Sequence, residues 1–253
     1  MEQSVQYMEK PMELKFQPKF SDAHCHPDIF KDPGKVLAEA RQSSVGTIIG
    51  AGGNTNSNNA IAEMCDANSI FGVIGIDPSS NCKEDSIKAI EEKIKANSRI
   101  IGIGEIGLDL VKSSIEENLQ KSIFSSQLEL AEKLGIPVVI HSRGAIERVA
   151  EILQEYKSVR AMFHFFEGDE DTAVSLASRG HIISFPPVKS AKRMRVAKAL
   201  SAKHIAVETD SPVVGQSPSD VIMVFESISE AKGINVEELA DTVIDNLREL
   251  FYI

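Results

Sequence analysis

The sequence predicts an α/β protein of the (β/α)8, or TIM, barrel class, and three observations carry that expectation. Eight short apolar, β-branched runs alternate with segments of helical period across 253 residues, which is the length and rhythm of such a barrel. Five of those runs carry a residue of metal-ligating type at or near their C-terminal end, and four of the six histidines fall there (24, 26, 141 and 164). These five are the first, fourth, fifth, sixth and eighth runs. In a closed barrel their ends ring one cavity, whereas in a doubly wound open sheet they would be strung along an edge. No repeat, low-complexity tract or linker interrupts the chain, so residues 20–253 are expected to form a single domain behind an N-terminal arm, residues 1–19.

Taken in order, the runs cover roughly 20–25, 45–51, 70–76, 100–106, 136–141, 159–165, 181–185 and 204–209. Each is too short for a buried helix, and most are rich in Val and Ile, as a parallel strand covered on both faces should be. The clearest helix lies between the fourth and fifth runs, over 114–134. Ser114 with Glu117 three residues later reads as a capping box, Leu119, Ile123, Leu130 and Leu134 share a face, and Gly135 stops it. The last helix begins at Asn235 with Glu238 as its box partner, and Leu239, Val243, Leu247 and Leu250 form its stripe. Residues 57–67, 83–97, 144–156, 170–179 and 189–202 supply the other crossover helices.

Composition narrows the function. The net charge of −10 argues against a protein that coats nucleic acid non-specifically, since that binding needs many Lys and Arg contacts to phosphates. It leaves room for an enzyme whose metal ions supply the local positive charge. Three cysteines (25, 65 and 82) without repeated CxxC spacing point to reduced thiols and a cytoplasmic setting. The first nineteen residues are charged throughout and lack the apolar core of a signal peptide. No run approaches the roughly 18 apolar residues that would span a membrane.

His24 and His26 form an H-x-H pair, and alternate residues of a strand share a face, so both imidazoles can chelate one ion. Glu105 lies in a run that is otherwise apolar and glycine-rich, where an unpaired carboxylate costs several kcal/mol. His141 and His164 close the fifth and sixth runs, and Asp210 follows the eighth. Imidazole and carboxylate ligands suit Zn, Mn, Fe or Co better than Ca, and these six suffice for two divalent ions. Such a pair activates water and grips a substrate oxygen, with Asp210 able both to ligate and to take the proton of the attacking water. Arg143, two residues beyond His141, has the planar fork to hold a phosphate or carboxylate.

Three other features receive blander readings. "GIGEIG" (102–107) matches G-x-G-x-x-G, but the dinucleotide fingerprint needs a helix opening within its glycines, and here they sit within a strand. The basic run Lys189, Lys192, Arg193, Arg195, Lys198 and Lys203 reads as a solvated helix face. His181 and His204 open strands and should lie at the far end of the barrel as structural residues.

Together "FSDAHCH", "GEIGLD", "QKSIFSSQLELAEKLGIPVVIHSRGA", "HFFEG", "ISF" and "ETDSP", with "NLRELF" near the C-terminus, resemble the TatD family of metal-dependent hydrolases. The motifs come in the family's order and cover nearly all of the chain after residue 19. The resemblance implies a TIM barrel with a two-metal centre that hydrolyses phosphodiesters in DNA, including by exonuclease action. It further implies that His24, His26 and Asp210 hold one ion, that His141 and His164 hold the second, and that Glu105 bridges them. Asp210 would also serve as general base, and the ions would be Mg, Mn, Zn or Co. The broader amidohydrolase superfamily often bridges with a carboxylated lysine on the fourth strand; here that strand offers Glu105 and no lysine. Three departures bear on the substrate. After "ETDSP" the usual aromatic and basic stretch is replaced by "VVGQSPSDV", Leu110 stands where an aromatic is common after "GLD", and "HCFSG" becomes "HFFEG", which places Glu167 where a small hydroxyl residue is usual. A carboxylate there disfavours a polyanion and keeps a small-molecule amidohydrolase or lactonase as the alternative.

Overall fold

The computed structural model describes residues 19–68, 70–80 and 87–253. Among them, eight strands alternate with helices: β1 (Phe20–Cys25), α1 (Pro33–Gln42), β2 (Val45–Ala51), α2 (Thr55–Asn68), β3 (Phe71–Ile74), α3 (Ile87–Ala96), β4 (Ile100–Asp109), α4 (Glu117–Leu134), β5 (Val138–Arg143) and α5 (Ile146–Leu153). The order continues with β6 (Ala161–Phe163), α6 (Glu170–Ser178), β7 (Ile182–Phe185), α7 (Ala191–Ala199), β8 (Ile205–Val207), α8 (Val221–Lys232) and α9 (Val236–Phe251). The strands pair in parallel in the order β1 to β8. The arm expected over 1–19 and the start of the helix expected at 83 fall almost wholly outside the described residues.

The seam between β8 and β1 is closed by residues just beyond β8. Asp210 N–H donates to His24 O at 2.9 Å and His26 N–H donates to Ser211 O at 2.7 Å. Beneath them the Thr209 N–H and hydroxyl both donate to the buried Asp22 carboxylate, at 2.9 and 2.5 Å. The same stitches therefore complete the barrel and hold two candidate ligand segments side by side.

Two apolar clusters follow from the two faces of a barrel strand. The outer one, with Phe124, Phe163, Phe185 and Phe225, fills the space between strands and helices. The inner one contains Ile49, Val73, Val139, Met162 and Ile182 and is completed by Leu247, Leu250 and Phe251 of α9. No helix among the described residues is long and apolar enough to cross a membrane.

Several helices differ from expectation. α1 and α8 were not foreseen. α1 is capped by Asp32 with Pro33 in its first turn but buries only Leu37 and Ala40, too few apolar residues to show a stripe. α4 starts at Glu117 with Glu116 as its cap, so Ser114 and Glu117 do not form a capping box, and Leu119 is 52% exposed. Its inner face carries Phe124, Leu128 and Ala131 together with Gln120 and Gln127. Both glutamines are buried because they pair with barrel backbone: Gln127 with the N–H and C=O of Ile76, Gln120 with those of Asp109. Gly135 ends α4 in the left-handed conformation, and Asn235 caps α9, as the sequence suggested.

Candidate metal centre

The glycines of β4 make the site possible. A side chain at Gly104 would press on Val139 in β5, and one at Gly107, whose φ is 138°, would collide with the backbone carbonyl of His141. Only glycine accepts that φ and that approach. β4 and β5 can therefore run close, and Glu105 meets the ends of β1, β5 and β6. This is the role of the "GIGEIG" glycines, which lie wholly within β4.

The structure brings together all six residues singled out as ligands. Glu105 is central: Oε1 lies 2.6 Å from His141 Nδ1 and 2.8 Å from His164 Nε2. Its Oε2 lies 3.6 Å from His24 Nε2 and 3.7 Å from His26 Nε2. Asp210 Oδ1 approaches from β8, 3.2 Å from His26 Nε2 and 3.9 Å from His24 Nε2. The Asp210 backbone is held at φ 50°, a costly conformation for a non-glycine residue that recurs at functional sites. Its carboxyl faces the histidines rather than capping the turn that follows. Three overlapping triads can each converge on one ion: His24–His26–Glu105, His24–His164–Asp210 and Glu105–His141–His164.

Outer partners set the ring orientations. His26 Nδ1 lies 3.0 Å from Ala51 O, and His141 Nε2 lies 3.2 Å from Asp109 Oδ2. Each ring can donate one N–H outward and turn its other nitrogen, Nε2 of His26 and Nδ1 of His141, to the centre. Asp109 is itself fixed, since its Oδ1 accepts the N–H groups of Val111 and Lys112 at 2.9 and 2.7 Å. Behind His164 sits Glu208, fully buried, with Oε1 3.6 Å from Nδ1. Neither Asp109 nor Glu208 was singled out in the sequence, although both are acids at strand ends within the "GEIGLD" and "ETDSP" motifs. His181 and His204 lie elsewhere, as expected: His181 Nδ1 accepts the Ala161 N–H at the start of β6.

The electrostatics match a cation site. Burial alone would raise the Glu105 carboxyl, but His164 and His141 hold it well below the usual carboxylate range. Burial drives His24 down, and the adjacent His164 adds to the shift. Burial also opposes charge on His141, yet Asp109 and Glu105 carry it up to about 9. His24 is wholly buried, and neither ring nitrogen has a hydrogen-bond partner among the described residues. Such a nitrogen facing two carboxylates is suited to a metal ion, and the His/Glu/Asp donor set is that of a transition-metal or zinc-type site.

The centre opens into a cleft of about 390 Å3, within the range of small-molecule and nucleotide pockets. Arg143, at the end of β5, lines it with its guanidinium 4.0 Å from Asp109, and Lys112 lines it as well. Asp28, Asp77 and Glu167 bring further acids to the wall. Glu167 does not stand alone: Arg193 lies 3.9 Å from its carboxylate, and its carbonyl accepts Lys192 Nζ at 2.7 Å. Of the basic run, Arg195 pairs outward with Glu170, but Arg193 is only 12% exposed and stacks on Phe165. The solvated-face reading does not hold for that residue.

A (β/α)8 barrel with a His/Glu/Asp cluster at the mouth formed by its strand ends defines a metal-dependent hydrolase. The "TatD related DNase" family model matches residues 21–252. The chain belongs to that family. It is 30% identical over 246 residues to the uncharacterized metal-dependent hydrolase MJ1582 of Methanocaldococcus jannaschii, covering 92% of this chain and 97% of that one. It is 27% identical over 256 residues to the human deoxyribonuclease TATDN3, covering 91% and 93%. Among solved structures it superposes on YJJV, a TatD homolog from Escherichia coli, with a TM-score of 0.85 at 23% identity over 93% of this chain and 99% of that one.

Proposed function

We propose that residues 20–253 form one catalytic domain that hydrolyses phosphodiesters, with DNA or its fragments as substrate, at a centre of two divalent ions. The observation that carries this reading is Glu105, whose two oxygens face different histidine pairs, the disposition of a bridging carboxylate. His24, His26 and Asp210 would hold one ion, His141 and His164 the other, with Mg, Mn, Zn or Co as the candidates. When bound, two such ions lower the pKa of water and offset charge on phosphoryl oxygens.

The chain's own groups supply the rest. Asp210 lies in the cleft wall and accepts the proton of the attacking water. Arg143 and Lys112, on the wall beside His141, orient the non-reacting phosphate oxygens. Asp109 keeps the His141 ring from turning. The buried free thiols of Cys25 and Cys65 support a reducing compartment, the cytoplasm.

The test is cleavage of single-stranded DNA, duplex DNA and a chromogenic diester with Mg, Mn, Co or Zn. EDTA treatment and Asp210→Asn are the controls. Cleavage lost in both controls is expected. The acids Asp28, Asp77 and Glu167 on the cleft wall favour a second reading, a small-molecule amidohydrolase or lactonase on the same centre. Turnover of neutral amides or lactones with none on diesters would establish it.

A further inference from the structure

Phe165 follows His164 directly, and its backbone sits at φ 47°, a conformation a bulky residue holds only when its surroundings impose it. The constraint is its own N–H, which donates to Oε1 of the buried Glu208 at 2.6 Å. The flanking Phe163 and Phe166 are both buried in the outer apolar cluster. Phe165 belongs to neither cluster; it is half-buried and lines the central cleft. Its ring centroid lies 6.3 Å from that of His164.

One side of the ring is covered by a cation. The Arg193 guanidinium lies 4.8 Å from the ring centroid, and the Nε of Arg193 has no hydrogen-bond partner among the described residues. A largely buried arginine held against an aromatic fixes the plane of that ring. The result is a braced aromatic surface in the cleft wall beside the metal-type cluster, and no packing role in the core accounts for it.

We propose that the Phe165 ring, backed by Arg193, is a stacking surface for a nucleobase, so that the cleft prefers a phosphorylated end that carries a base over the same sugar phosphate without one. The inference rests on the phosphodiesterase reading for its class of substrate. Base–aromatic stacking tolerates any base, and its usual strength corresponds to about tenfold in affinity.

The test compares dAMP with 2-deoxyribose 5-phosphate, titrated calorimetrically into the Mn-loaded protein. Wild type is expected to bind dAMP about tenfold more tightly. Phe165→Leu brings the ratio close to one, and Phe165→Trp keeps it, which separates stacking from a merely structural role for the side chain. A wild-type ratio near one, or a ratio unchanged in Phe165→Leu, overturns the proposal. DNA cleavage is scored in parallel: its absence beside a Phe165-dependent ratio refutes the phosphodiesterase reading and not the stacking surface. Cleavage with a Phe165-independent ratio does the reverse.

Discussion

Replacing Asp109 by asparagine isolates the outer support of the candidate metal centre. In the native chain Oδ2 faces His141 Nε2 at 3.2 Å while Oδ1 accepts two backbone N–H groups. Asparagine can keep the backbone bonds with its carbonyl oxygen, and its NH2 then meets His141 Nε2. Two N–H groups cannot face each other, so the imidazole must carry its proton on Nδ1 instead, the nitrogen 2.6 Å from Glu105. That nitrogen is then no longer free to ligate. Loss of such an outer partner typically weakens metal binding by about 10–100-fold, or about 1.4–2.7 kcal/mol. Calorimetric titration with Mn at neutral pH should resolve two binding events in wild type. In Asp109→Asn one of them should weaken by that factor, with little change in thermal stability. Two events with wild-type affinities in the variant would refute the argument that Asp109 sets the His141 ring.

Three further outcomes are expected. Asp210→Asn leaves a folded protein whose diesterase turnover falls by about 10^2–10^4-fold, the usual contribution of a positioned general base, measured as initial rates with circular dichroism as the fold control. Gly107→Ala forces a side chain against the His141 carbonyl at φ 138° and should cost on the order of 3 kcal/mol, seen as a melting temperature lowered by roughly 6–12 °C. His181 gives a pH dependence remote from the centre. Burial, then Arg179 and Arg160, lower its pKa from 6.5 to about 4, and the neutral ring accepts the Ala161 N–H. Between those values the unfolded chain binds the proton and the folded one does not, so the contribution is complete above pH 6.5 and lost as pH falls towards 4. Its size is about 3 kcal/mol. Urea unfolding should show that slope in wild type and a smaller one in His181→Gln.

The strands and the centre were largely legible in the sequence because both are written in short local patterns. β1 and β2 begin and end where the apolar runs do. Glu105 was conspicuous because nothing in its apolar surroundings could pay for a lone carboxylate. The helices were less legible. On α4 the expected stripe holds at Leu130, with Ile123 and Leu134 packed beside the core, but Leu119 is exposed, while Gln120 and Gln127 take inner positions to bond the barrel backbone. Asn58 does the same on α2, exchanging two bonds with Gly75, and Asn246 does so on α9. A hydropathy pattern reads such amides as solvent-facing. Asp109 and Glu208 carry no signal in the sequence, and Arg193 reads as part of a solvated face, for a related reason. Their roles depend on His141, His164 and Phe165, which are distant in sequence, and only the closed barrel brings them together.

The central claim is that Glu105 joins two ions in one centre, and anomalous scattering from crystals grown with Mn tests it most directly. Two peaks are predicted, one beside His24, His26 and Asp210 and one beside His141 and His164, both within reach of the Glu105 carboxylate and both lost in Glu105→Ala. A single peak, or peaks that persist without Glu105, would contradict the account.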